Sequence, residues 1–171
     1  MCLTPDVKIF LDIDGVMTFF LKQVENWGYK KLIKKGVRHS DPEMWKIINK
    51  DPYNFAASMP WENHGERLYM HLINLNLQVI PITHCPNEDW KLGRFFWIGK
   101  NMPWCEPPIF IPMNSSKALF CVGKTALLID DMQVNVNDWR LAGGTAVLWD
   151  SAKPEESFAS LNLALKDLGV L

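Results

Sequence analysis

The sequence predicts an α/β fold built on a parallel β-sheet, and three observations carry that prediction. Five short runs, Val7–Leu11, Gln78–Ile82, Ile109–Pro112, Ala126–Ile129 and Thr145–Trp149, are apolar almost throughout, as strands buried on both faces are. Helical patterns separate the later runs, and alternating strand and helix calls for a parallel sheet covered on both sides. The chain has 171 residues, 48% of them hydrophobic, enough for one domain with a sizeable core.

Taken in order, the first strand, "VKIFL", runs directly into "DIDG". Residues 18–61 repeat no strand pattern, and Trp27, Tyr29, Trp45, Tyr53, Phe55 and Trp61 are scattered there through polar sequence. This predicts a small, mainly helical cap inserted after the first strand, leaving 1–17 and 62–171 as the α/β core. Glu62–Leu75 sets Leu68, Leu72 and Leu75 on one helical face, ahead of the strand that leads to Thr83. Ser115–Cys121 begins on a favourable helix cap, and Val134–Leu141 stops at Gly143-Gly144. Pro154–Leu168 carries Phe158, Leu161, Leu165 and Leu168 at helical spacing. The sequence contains no internal repeat and no low-complexity segment.

Charge and cysteine usage narrow the class. The 18 basic and 19 acidic residues leave no surplus of the kind that neutralises a phosphate backbone, so no stable nucleic-acid complex is expected. Cys2, Cys85, Cys105 and Cys121 form no CxxC pair. No signal-peptide pattern occurs at the start, and no apolar run approaches the ~18 residues of a membrane span. A cytoplasmic protein with reduced thiols is the expectation. The basic run "YKKLIKKGVRH" reads as a solvated helix face, with an electrostatic lure for anions as the alternative.

The ends of the strands carry the chemistry. "FLDIDG" closes the first strand with Asp12 and Asp14, "LLIDD" closes another with Asp130 and Asp131, "PITHC" ends a third in Thr83, and "SSKAL" sets Lys117 just beyond a fourth. In a parallel sheet these positions share one edge, where functional groups collect. A single Asp-Gly is an ordinary turn. Four carboxylates gathered at a low-dielectric edge repel one another unless a cation lies among them. A hard divalent ion such as Mg2+ meets that need with oxygen ligands and keeps room for water and a phosphate. A carboxylate beside it is a candidate nucleophile, and Thr and Lys suit the oxygens of a transferring phosphoryl group.

Other motifs fail on spacing or order. "VGKTALL" has Ala118 where a phosphate-binding loop needs its first glycine, and a strand rather than a helix follows. His64, His71, His84, Cys85 and Cys105 match no zinc-site spacing. Response-regulator receivers also use Asp, Thr and Lys, but with the acidic pair and the phosphorylated Asp in the opposite order.

The four strings "FLDIDGV", "PITHC", "SSKAL" and "LLIDD", in that order, resemble the motifs of haloacid dehalogenase (HAD) superfamily phosphatases. The resemblance implies a Rossmann-like three-layer α/β/α sandwich, Mg2+ dependence and an aspartyl-phosphate intermediate. It assigns Asp12 as nucleophile and Asp14 as the general acid that later activates water. Thr83 and Lys117 would bind the phosphoryl group, with His84 a further candidate there. Asp130 would hold Mg2+ with Asp12 and the backbone carbonyl of Asp14, and Asp131 would support it. The chain departs from the family at Val16, where Thr is commoner. Asp14 separates it from the dehalogenase branch.

The inserted segment, with "WKIINKDPYNF" and "MPWENHGERLYMHL", is similar to the cap of 5'(3')-deoxyribonucleotidases. That similarity implies a small phosphorylated substrate, a nucleoside or deoxynucleoside monophosphate. Aromatic rings suit such a substrate because stacking is worth about 1–3 kcal/mol per base. Phe55 and Trp61 are the expected stacking surface, with Trp45 behind them in the cap core. A sugar phosphate, a nucleic-acid 3'-phosphate end, or an inactive binding module on the same fold are the alternatives.

Overall fold

The computed structural model describes residues 6–31 and 40–171, so Cys2 and most of the basic run at 29–39 lie outside the described residues. Five strands form one sheet: β1 (Lys8–Leu11), β2 (Gln78–Cys85), β3 (Ile109–Pro112), β4 (Ala126–Asp130) and β5 (Thr145–Leu148). Their spatial order is β3-β2-β1-β4-β5, and every neighbouring pair is parallel.

Side chains alternate between two cores, as the period of a strand requires. Ile9 and Leu11 of β1 and Leu127 and Ile129 of β4 face one core, while Phe10, Ala126 and Leu128 face the other. The first core is closed by α4 (Gly65–Asn74), α5 (Glu88–Asn101) and α7 (Pro154–Asp167), and the second by α6 (Gln133–Leu141) through Val136 and Trp139. The result is the three-layer α/β/α sandwich the sequence predicts.

Several expected elements end differently, each for a local reason. β2 continues to Cys85, so Thr83 lies within the strand and pairs with Phe110 of β3. α4 begins at Gly65 instead of Glu62, because His64 adopts a left-handed conformation with φ of 65° while Glu62 N–H donates to Met17 O at 2.8 Å. The helix expected over Ser115–Cys121 is a single 3₁₀ turn, Lys117–Phe120, capped by the Ser116 hydroxyl, which accepts from Ala118 N–H. A segment this short gains little from α-helix propagation. α5 has no counterpart in the sequence reading: Trp90, Leu92, Phe95, Phe96, Trp97 and Ile98 run around the whole helix and leave no apolar stripe to read.

The segment between β1 and α4 contains α1 (Phe20–Asn26), α2 (Pro42–Ile48) and α3 (Pro52–Ala57). Asp41-Pro42 and Asp51-Pro52 start the last two in the same way: the aspartate accepts from a first-turn N–H, and proline occupies the first helical position. Gln23 Nε2 ties α1 to α3, donating to Phe55 O and Ser58 Oγ at 2.9 Å each. Val24, Met44, Ile48 and Phe55 are fully or almost fully buried and join the core beneath the sheet. α3 lies directly on α5 at Gly93, where a Cβ would stand 2.2 Å from Tyr53 O. Gly93→Ala should therefore destabilise the protein despite its better helix propensity. Overpacking costs about 1–3 kcal/mol, and thermal denaturation should show a midpoint several degrees lower, at about 2–4 °C per kcal/mol for a chain of this size.

Candidate active site

The register of two strands builds the site. Leu11 pairs with Ile129, and Asp12 N–H donates to Ile129 O at 2.9 Å, so Asp12 and Asp130 emerge side by side where β1 and β4 end. The strand order departs in opposite directions on either side of this pair, which opens a crevice there. Both carboxylates are buried.

Lys117 reaches them from the turn after β3. Its ammonium, itself buried, donates to Asp12 Oδ1 at 2.5 Å and to Asp130 Oδ2 at 2.7 Å. Asp130 is further held by Met132 N–H at 2.8 Å and by Asn135 Nδ2 at 3.0–3.1 Å. Asp131 lies against Gly15, where a Cβ would come within 2.1 Å of Asp131 Oδ2. Gly15 also has φ of +87°, so this position needs glycine for both conformation and space.

Burial and charge crowd these acids. Burial raises the Asp12 carboxyl well above the ordinary carboxylate range, with Asp130 and Asp131 adding to the rise and Lys117 opposing it. Asp131 is pushed up to about 7 by burial and then by Asp130. Burial alone would lower the Lys117 ammonium, but Asp12 and Asp130 outweigh it and leave the group raised. Cys85 and Cys105 are pushed up to about 12 and about 11 by burial, which makes them poor nucleophiles at neutral pH.

The donor set suits a hard cation. Carboxylate oxygens of Asp12, Asp130 and Asp131 lie within 4.8 Å of one another. Three carboxylates and one ammonium carry a formal charge of −2, which a divalent ion brings to zero. The Asp14 carboxylate is not in this group. It accepts from Arg94 Nη2 at 2.5 Å and from the Thr18 hydroxyl at 2.9 Å, so any contribution of Asp14 to the metal falls to its backbone carbonyl.

One cavity joins Asp12, Asp14, Thr83, His84, Lys117 and Asp131. Thr83 is buried, and His84 Nε2 lies 2.9 Å from Ser115 O. Trp45 is on the cavity wall, its ring 6.2 Å from that of Trp90, with Phe20 nearby on the same wall. Phe55 and Trp61, expected there as the stacking surface, do not line it. Phe55 is fully buried between Trp27 and Trp90, and Trp61 packs edge-on against Trp97 at 4.9 Å. The aromatic density of the segment was readable, but helix packing decides which rings face inward.

Arg94, Trp90, Asn135 and Glu62 belong to the site or its surroundings and were not anticipated. The spacing Trp90, Arg94, Trp97 places a charged residue on the buried face of α5, a signal that depends on first recognising the helix.

No protein-family model and no curated protein matches the sequence. Solved structures do match. A hydrolase from Streptococcus pneumoniae TIGR4 has a TM-score of 0.56 at 8% identity, covering 96% of this chain and 100% of its own. A HAD-superfamily hydrolase from Ehrlichia chaffeensis has a TM-score of 0.51 at 12% identity, covering 95% and 97%. The chain shares the fold of these hydrolases. A phosphonoacetaldehyde hydrolase-like protein from Oleispira antarctica, with a TM-score of 0.52 at 10% identity over 96% and 84%, shares it. Within this fold, the acids stand at or just beyond the ends of β1 and β4, and the lysine stands in the turn after β3.

Magnesium should raise the thermal midpoint of the protein relative to the EDTA-treated form, since a ligand at a hundred times its Kd stabilises by about 2.7 kcal/mol. Asp131→Asn should reduce that shift. Gly15→Ala should abolish it, because the new methyl displaces Asp131.

Proposed function

We propose that this protein is a Mg2+-dependent phosphomonoester hydrolase that works through an aspartyl-phosphate on Asp12. The observation that carries this reading is the buried Lys117 ammonium bridging Asp12 and Asp130 beside Thr83 and Asp14 on one cavity. Lys117 holds the Asp12 oxygen, and with Thr83 it offers donors to the non-bridging oxygens of a phosphoryl group. Asp12, Asp130, Asp131 and the Asp14 carbonyl would hold the metal. When bound, it supplies positive charge that offsets the oxygens of the phosphoryl group.

The chemistry then falls to two carboxyl groups. A carboxylate oxygen of Asp12 forms a bond to phosphorus as the bond from phosphorus to the ester oxygen breaks, and Asp14 gives that oxygen a proton. In the second half, water attacks phosphorus, Asp14 takes its proton, and Asp12 leaves with its electron pair, releasing inorganic phosphate. The segment at 18–61 acts as the cap over this site, in keeping with Phe20, Leu21 and Trp45 on the cavity wall.

For the substrate we propose a nucleoside or deoxynucleoside monophosphate, the nucleoside being the leaving group. Trp45, half-buried and on the wall, supports this in place of Phe55 and Trp61. Across a panel of nucleotides and sugar phosphates, nucleotides should have the highest kcat/KM, and sugar phosphates outrunning them all would overturn the assignment. Trp45→Ala should raise KM for nucleotides by about tenfold, within the 1–3 kcal/mol of a stacking contact, while leaving an aryl phosphate nearly unaffected. Asp12→Asn should remove turnover without loss of the fold. EDTA should do the same reversibly, and activity that survives complete metal removal would refute the mechanism.

A further inference from the structure

Arg94 is the buried charge for which the mechanism above has no use. It projects from α5, the helix after the Thr83 strand, and its side chain has no exposed surface. Nη2 donates to Asp14 Oδ1 and also touches Met59 Sδ at 3.2 Å. The guanidinium lies 5.7 Å from the centre of the Trp90 ring, one helical turn earlier. Nε and Nη1 are buried without an acceptor among the described residues.

That pattern is uneconomical for a structural strut. Arginine and a carboxylate usually meet through two parallel hydrogen bonds, and each buried donor left unmade costs about 1–3 kcal/mol. Here a single arm is used, and it meets the same oxygen that faces Thr18. The Thr18 hydroxyl lies 2.9 Å from Asp14 Oδ1 and 3.2 Å from Ile13 O. Oδ1 therefore has two neighbouring donors, and Oδ2 has none among the described residues. The Asp14 side chain, 27% exposed, borders the cavity that also contains Asp12.

We infer that Arg94 is a positioning residue for Asp14: by holding Oδ1 together with Thr18, it reserves Oδ2 as the oxygen that carries the transferred proton. This rests on the reading of Asp14 as the proton donor in phosphoester hydrolysis. A carboxylic acid has one proton, and two donors on Oδ1 place it on Oδ2. The single Nη2 contact produces this asymmetry, whereas a two-armed pair would engage both oxygens.

The inference separates from a packing role through the leaving group. An ester whose alcohol departs readily needs little proton assistance, and one whose alcohol departs poorly needs much. The test is a series of phosphate monoesters from 4-nitrophenyl through phenyl to alkyl, measured under saturating Mg2+ with the full-length wild type, Arg94→Met, Arg94→Lys, Asp14→Asn and the Asp14→Asn/Arg94→Met double variant. Arg94→Met should lower kcat by less than about tenfold for the nitrophenyl ester and by about 10²–10³ for alkyl esters, within the range of general acid catalysis, with KM nearly constant. Arg94→Lys, which keeps a donor, should recover at least part of the alkyl-ester rate. On the Asp14→Asn background, Arg94→Met should have no further effect.

A loss equal across the whole series, or fully additive with Asp14→Asn, would show a packing role and overturn the inference while leaving the phosphatase reading intact. A wild type that hydrolyses none of these esters would overturn both. Thermal melts identify any variant that fails to fold. Should Arg94→Met be one, Arg94→Gln, which lacks the charge, decides by the same series: a loss concentrated on the alkyl esters supports the inference, and a loss equal across the series overturns it.

Discussion

The Lys117 ammonium between Asp12 and Asp130 is the interaction on which the rest of the site depends. Two buried carboxylates at neighbouring strand ends are not tolerated alone, and removing one partner of such a buried pair typically costs about 3–5 kcal/mol. The lysine comes from beyond β3, two strands away from β1, so one contact ties the loop at the edge of the sheet to its centre. It compensates only part of the charge. The remaining crowding appears in the raised Asp12 and Asp131 carboxyls, and it makes the site receptive to a divalent cation.

Around this charged centre the protein is a dense aromatic body. Phe55 and Trp90 pack at 5.3 Å, Trp27 meets Phe55 edge-on at 5.2 Å, and Trp61 meets Trp97, whose indole N–H donates to Met59 O at 2.7 Å. These contacts join the inserted helices to α5. Because α5 follows the Thr83 strand and also carries Arg94, the seam connects the insertion to Asp14 through a chain of buried groups. Position in the fold thus links residues that are far apart in sequence, with 80 positions separating Asp14 from Arg94.

The strand ends were legible because a continuous apolar run that stops on a charged residue marks both the strand and its functional tip. Asp12 and Asp130 stand where that rule puts them, Thr83 lies two residues short of the end of its strand at Cys85, and Lys117 was legible from its place in the motif order. The aromatic residues of the insertion were legible only as a group. Phe55 turns inward because α3 lies flush on α5 at Gly93, a contact that depends on two helices meeting and on no periodicity in either. Arg94 was hidden for a related reason. Its helix has apolar Leu92, Phe95 and Phe96 on the exposed face as well as tryptophans on the buried one, so the usual contrast between the two faces is weak, and an arginine among tryptophans looks like an exposed residue until the fold buries it.

The hydrogen-bonded register of β1 and β4 has a consequence for how this chain tolerates change in length. Side chains alternate faces at every residue, so deleting or adding one residue within either strand would send each following side chain to the opposite layer. In β1 that would bring Leu11 or Ile13 to the place of Asp12, beside Asp130 and its lysine. Substitutions along these strands affect packing one methylene at a time, but a single insertion or deletion takes the Asp12 carboxylate from beside Asp130 and mixes both cores at once. Changes of length should therefore be tolerated only in the connections between elements, and the spacing from Val7 to Asp12 is as much a part of the site as the aspartate itself.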